Sequence, residues 1–236
     1  YLRIQRMKEQ NVILQEGLDR IMREVFEESL EELHQLMLNM GQTCQSIIAS
    51  SYQALIKNDL NEIEQIHDYE NKINHLERSI EAKCMQLLLL QAPVATDLRK
   101  VSSALKMITD MERIGDHAYD IGDILSKNHE LLKYVDQLPY KDMVKQIITM
   151  VDDCITSFIN NDKDLAYKVI KEDDAVDDYF NDIYKSLSQG MSKQDRSSLD
   201  LMMIAKYYER IGDHATNIAE WVIYSITNEF QSLEQK

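Results

Sequence analysis

The ten residues Glu112-Arg-Ile-Gly-Asp-His-Ala-Tyr-Asp-Ile121 return as Glu209-Arg-Ile-Gly-Asp-His-Ala-Thr-Asn-Ile218, identical from the glutamate through the alanine. A chain that keeps two copies of one segment must fold into something with two equivalent places for it. The duplication reaches well beyond the motif. At an offset of 97 it pairs Arg99 with Arg196. At an offset of 103 it lays Ile56-Lys57-Asn58-Asp59 over Ile159-Asn160-Asn161-Asp162, and Ile80 over Ile183. The change of six between the two offsets gives the first copy the longer stretch around Leu90 to Thr96, where added loop length is cheap.

Only two prolines and six glycines interrupt 236 residues. Few breakers among many helix formers predict long helices and no strands. Turn chemistry gathers at Lys57-Asn58-Asp59, Gln91-Ala92-Pro93, Leu138-Pro139, Asn160-Asn161-Asp162 and Gln189-Gly190. Asp59 with Glu62, and Ser192 with Asp195, read as capping boxes at helix starts. Helices are therefore expected near residues 23–57, 59–90, 94–130, 139–160, 162–189 and 193–230. In the third, Ala104, Met107, Met111, Ile114, Ala118, Ile121 and Leu125 keep an unbroken 3-4 spacing. Leu201, Ile204, Tyr208, Ile211, Ala215, Ile218 and Val222 match them in the sixth. Such a stripe is the seam of a helix packed at a shallow angle in a bundle. The expected fold is all-α: two tandem three-helix bundles, residues 22–134 and 135–236, with residues 1–21 outside the repeat as an extra helical arm or a non-native addition.

Composition narrows the partners. A formal charge of −15 argues against nucleic acid, whose phosphates need Lys and Arg, and favours metal cations or basic protein surfaces. The three cysteines, Cys44, Cys84 and Cys154, are too scattered for a disulfide framework or a zinc finger, which fits a reducing cytoplasm. No apolar run approaches the roughly 18 residues of a membrane helix, and residues 1–16 lack a signal-peptide block.

The seams also locate the acids. Glu112, Asp116 and Asp120 stand at i, i+4, i+8, so they align on one side of the third helix about 6 Å apart, away from the apolar stripe. Glu209, Asp213 and Asn217 repeat the row. In the second helix the stripe Ile63, Ile66, Ile73, Ile80, Leu87 is broken at Glu70. In the fifth, Val169, Val176, Phe180, Ile183, Leu187 is broken at Asp173, the equivalent position. Asn74 and Asp177 follow four residues on. A charge in an apolar stripe needs a cation or a place at the rim. Each repeat thus offers an acid or acid/amide pair from its middle helix facing a triplet from its third. The donors are all oxygen and suit hard cations such as Mg2+, Ca2+, Mn2+ or ferric iron, with zinc tolerable. The plain alternative is a solvated acidic face beside Arg113 and Arg210, though such a face has no need of identical residues in both copies. His117 and His214 read as hydrogen-bonded boundary histidines, and Gly115 and Gly212 as sites of close helix approach or access to bound ions.

The paired E-R-I-G-D-H-A-x-[ND]-I segments, together with Met22-Arg-Glu-Val-Phe-Glu-Glu-Ser-Leu-Glu-Glu-Leu33, resemble the PhoU family over nearly the whole chain from Met22. The resemblance implies a PhoU- or spectrin-like pair of three-helix bundles whose E(D)xxxD motifs bind multinuclear clusters of iron or zinc. It also implies a cytoplasmic homodimeric negative regulator linking the phosphate-specific ABC transporter ATPase to the sensor histidine kinase of the phosphate response, peripheral to the membrane only through those partners. The matching motif positions are Glu112 and Asp116, Glu209 and Asp213, and Asp173 and Asp177. Asn74 after Glu70 departs from the pattern, so a weaker first cluster is expected.

A second reading is an enzyme, a di-iron carboxylate bundle, because Glu31-x-x-His34 and Glu64-x-x-His67 carry the Glu-x-x-His spacing of such sites. Their repeat counterparts are Gln137 and Ile170, so neither histidine is duplicated. No P-loop, nucleophile elbow, kinase signature or DNA-reading basic helix is present. A purely structural adaptor without ions is the third reading.

Overall fold

The computed structural model describes residues 2–57, 59–90, 94–128, 131–190 and 196–229. Six long helices account for most of them: α1 (Leu2–Lys57), α2 (Leu60–Leu90), α3 (Ala95–Lys127), α5 (Tyr140–Asn160), α6 (Lys163–Gly190) and α7 (Arg196–Thr227), with a single turn, α4 (Leu132–Val135), in the central connection. Helices α1, α2 and α3 pack on one another, as do α5, α6 and α7, and the two bundles join through α3 against α7 and α1 against α5. No described helix is long and apolar enough to cross a membrane.

Helix boundaries follow the local chemistry. Asp59 Oδ1 accepts the Asn61 amide at 2.9 Å to start α2, and Asp162 Oδ1 accepts the Asp164 and Leu165 amides, both at 3.1 Å, to start α6. Asn161 ends α5 in the left-handed region (φ 53°), and the Asp162 amide reaches back to the Ser157 carbonyl at 2.9 Å. The Ser192/Asp195 box and the Gln91–Pro93 and Asn58 breaks lie outside the described residues. Two expectations need correction. The first helix starts at Leu2 rather than near residue 23, so that residues 2–21, the extra helical arm, run unbroken into α1, whose 56 residues span about 84 Å. Among the described side chains its first buried core residue is Phe26, and before that Leu14, Leu18, Ile21, Met22 and Val25 are exposed. The connection after α3 also carries the turn α4, too short for periodicity to reveal.

The core is the two seams. Every stripe residue of α3 and α7 is 0–2% exposed. Cys44, Cys84 and Cys154 are buried and unpaired, as their scatter implies, and burial pushes the Cys44 and Cys84 thiols up to about 12. Met107 and Met111 are buried, whereas Met203 is exposed.

Gly41 makes the α1–α5 contact between bundles possible, because a Cβ there would stand 2.9 Å from Ile155 Cγ1 and 3.5 Å from Ile155 Cβ and Cγ2. Cγ1 is held at the root of a buried side chain and cannot swing away. Gly41→Ala should therefore destabilise the protein by about 1–3 kcal/mol in urea unfolding, despite the better helix propensity of alanine. In an Ile155→Ala background the same change should become neutral or stabilise by up to about 1 kcal/mol. Equal effects in both backgrounds would mean that this contact does not set the helix spacing.

Candidate functional site

Helices α3 and α7 run antiparallel around a pseudo-two-fold axis that sets the duplicated motifs face to face. His117 of α3 stacks on His214 of α7 with ring centroids 5.3 Å apart and planes inclined by 27°. On one side of this pair, His214 Nδ1 lies 2.8 Å from Asp110 Oδ1, and Asn217 Nδ2 donates to the same oxygen at 3.2 Å. On the other side the Tyr207 hydroxyl donates to Asp120. The two contacts are symmetry mates, since Asp110 corresponds to Tyr207 and Asp120 to Asn217 at the offset of 97. His214 is thus the hydrogen-bonded boundary histidine that was expected. His117 instead keeps a buried Nδ1 without a hydrogen-bond partner. Burial, followed by His214, Arg210 and Arg113, lowers its pKa to about 4.

A groove of about 750 Å3 opens at this axis, lined by Arg113, Asp116 and His117, by their counterparts Arg210, Asp213 and His214, and by Asp173 from α6. Glycine lets the middle helices come close to it. A Cβ on Gly115 would meet Ile73 Cδ1 at 2.9 Å, and one on Gly212 would meet both Val176 Cγ1 and Asp173 Oδ1 at 3.2 Å. Helix approach explains both glycines, and Gly212 in addition seats a carboxylate against the α7 backbone.

The second repeat gathers Asp173 and Asp177 of α6 with Glu209 and Asp213 of α7. Burial, and then the charges of Asp213, Asp177 and Glu209, raise Asp173 from 3.8 to about 7, against a hydrogen bond from Thr216. Asp213 and Asp177 are also raised, by burial first and Glu209 next, with Lys206 opposing. The Lys206 ammonium binds Glu209, donating to Oε1 at 2.5 Å.

In the first repeat, Glu70 of α2 accepts a hydrogen bond from Asn74 Nδ2 at 2.5 Å. Glu112 is raised by burial, then by Asp116, Glu77 and Glu70, against Arg113. Asp116 is raised by burial, then by Glu70 and Asp120. Glu77, three residues beyond Asn74 on the same ridge, is a member that pattern reading missed. Asp120 and Asn217, expected as ion donors, are the two whose polar groups are taken up across the α3–α7 seam, by Tyr207 and Asp110. The remaining eight expected residues fall into the two clusters as paired by the offsets.

These clusters suit a hard cation in donor chemistry and in electrostatic deficit, because carboxylates drawn from two helices raise one another's pKa with few cations among them. Among the described residues, however, no group of three or more His, Cys, Asp or Glu side chains converges closely enough to hold a metal ion as it stands. The donors form open strips at the rim of the groove. The Glu-x-x-His pairs do not converge on a common centre. His34 lies 3.8 Å from Glu31 and edge-on to Phe158, while exposed His67 lies edge-on to Tyr119.

A carboxyl whose pKa is raised on folding keeps a proton that the unfolded chain has lost, so its folded form weakens as pH climbs from the unfolded to the folded value. For Asp173 that window runs from 3.8 to about 7. The metal-free protein should melt higher at about pH 6 than at about pH 8. Asp173→Asn should raise the melting temperature at the higher pH, by about 2–4 °C for each kcal/mol recovered, and shrink the pH slope. Calorimetric scans that find a flat or inverted slope would contradict the cluster electrostatics.

Comparison with known proteins agrees with this architecture. The PhoU domain family model matches twice, over residues 37–125 and 140–222. A Clostridium acetobutylicum protein named phosphate-specific transport system accessory protein PhoU homolog is 36% identical over 215 residues, covering 87% of this chain and 95% of the relative. A Synechocystis protein of the same name is 36% identical over 211 residues, covering 87% and 92%. Among solved structures, the phosphate transport system regulatory protein PhoU from Streptococcus pneumoniae superposes with a TM-score of 0.79 at 28% identity, covering 88% of this chain and all of the other. PhoU from Pseudomonas aeruginosa gives a TM-score of 0.76 at 29% identity, covering 86% and all of the other. The duplicated motif, the two bundles and these matches place the chain in the PhoU family.

Proposed function

We propose that the protein is a metal-binding, non-enzymatic regulator of phosphate uptake in the cytoplasm. It acts as a homodimeric adaptor between the phosphate ABC transporter ATPase and the sensor histidine kinase, and represses the phosphate response when phosphate is ample. The observation that carries the reading is the family membership itself, with relatives named as accessory proteins of the phosphate-specific transport system. Glu70, Asn74, Glu112 and Asp116 would hold ions in the first repeat, and Asp173, Asp177, Glu209 and Asp213 in the second, as a multinuclear iron or zinc cluster or with Mg2+, Mn2+ or Ca2+. A bound cation supplies positive charge that neutralises the opposed carboxylates and ties the middle helix of each bundle to the third. The chain's own residues do the rest: the seams hold α3 and α7 in register, Gly115 and Gly212 admit the neighbouring helices, and Asp110 and Tyr207 fix the flanks of the groove. The −15 charge favours docking on a basic face of a partner.

Two measurements test this. Calorimetric titration with Mn2+ or Zn2+ should lose at least about tenfold in affinity, about 1.4 kcal/mol, for one class of site in Glu209→Ala/Asp213→Ala. Unchanged binding would remove the ion sites. Affinity purification from phosphate-rich and phosphate-starved cells should recover the transporter ATPase and the kinase, more under plenty, and less as salt rises. Recovery of neither under any condition would remove the adaptor role.

A further inference from the structure

The two carboxylate clusters are not equivalent. In the second repeat Lys206 reaches into the cluster, hydrogen-bonding Glu209 Oε1 and pairing in charge with Oε2, which keeps no hydrogen-bond partner, while lying 5.3 Å from the centre of the Phe180 ring. At the offsets of 97 and 103, Lys206 corresponds to Thr109 and Phe180 to Glu77. Both members of the contact change together between the copies, an ammonium over an aromatic face in one and a hydroxyl with a carboxylate in the other. Thr109 turns its hydroxyl back to the Leu105 carbonyl and brings no charge. Glu77 adds its charge to Glu112. Among the described residues, the cations that act on Glu77, Glu112 and Asp116 are arginines, whereas Asp177, Glu209 and Asp213 share a lysine.

We propose that Lys206 is a tethered counter-cation, seated where an external ion would bind, so that the first repeat loads before the second and the second fills only as Lys206 is displaced. This rests on the ion-binding reading above, and it reverses the weaker first cluster that Asn74 suggested. The seat is built for a monovalent occupant, with carboxylate oxygens on one side and the negative face of Phe180 on the other. The Lys206 side chain is 41% exposed, so it can leave for water without unpacking the seam. A divalent ion entering the second cluster must overcome that attachment, whereas in the first the opposing cations are Arg113 beside Glu112 and Asp116 and Arg78 beside Glu77.

The test is Mn2+ titration of the metal-stripped full chain, with free ion read by electron paramagnetic resonance, on wild type, Lys206→Met and Thr109→Lys, with circular dichroism confirming the fold of each. Wild type should bind in two classes at least about tenfold apart. Lys206→Met should tighten the weaker class by about tenfold or more and leave the tighter one unchanged. Thr109→Lys should loosen the tighter class by a similar factor, and carries the test alone if Lys206→Met does not fold. Wild-type binding left unchanged by both substitutions overturns the role of Lys206 and leaves ion binding standing. No binding by any of the three, even with the internal cation removed, overturns both.

Discussion

The packing of α3 against α7 is the constraint on which everything else in this molecule depends. Each is the third helix of its own bundle, and each also packs against its own copy, antiparallel, across the pseudo-two-fold axis. Fully burying a Leu, Ile or Met contributes about 1.5–3 kcal/mol, and both stripes are buried along their whole length. Repulsion between neighbouring carboxylates at i, i+4 costs only about 0.2–0.5 kcal/mol a pair. The seam therefore wins easily, and acids can be lined up on the opposite faces without breaking the helices.

Self-packing also changes what the duplication means. A helix that meets its own copy is held to matching residues by geometry alone: His117 needs a ring of similar shape at His214. Gly115 and Gly212 instead each admit the middle helix of their own bundle. Identity at Ile, Gly, His and Ala within the motif thus has a structural cause. That cause extends to Arg113 and Arg210, which line the groove at the axis, with Arg210 acting on His117 of the opposite helix. The inference from duplication to chemistry is left with the carboxylates Glu112, Asp116, Glu209 and Asp213.

Much of this was legible beforehand. The 3-4 stripe located the core of both third helices residue by residue, Asp59 and Asp162 marked real helix starts, Asp173 marked where its middle helix reaches the groove, and Glu70 where the other comes beside Asp116. Periodicity could not foresee contacts that join unlike positions of the two copies. Tyr207 with Asp120, and Asp110 with Asn217, are symmetry mates built from different residues, so a search for identity passes over them. The contact of Lys206 with Phe180, whose counterparts are Thr109 and Glu77, escaped for the same reason. The start of α1 was placed late because the repeat has no counterpart for residues 2–21, although no proline interrupts them.

The same asymmetries locate where the two halves have room to differ. Across the seam, a change on one helix is met by its copy and must fit both. At the rim, Lys206 can replace a threonine, and Phe180, which packs against the edge of the core, a glutamate, because neither residue meets its copy across the axis. Divergence accumulates there as electrostatics rather than as shape. A binding partner sees the difference, because a cluster that carries its own cation presents less negative charge than one that does not. Any cation that binds the folded chain alone adds stability in proportion to its occupancy. On the proposed order of loading, unequal occupancy would stiffen one bundle before the other while the shared seam stays fixed, so two nearly identical helices would give their halves different answers to the same ion.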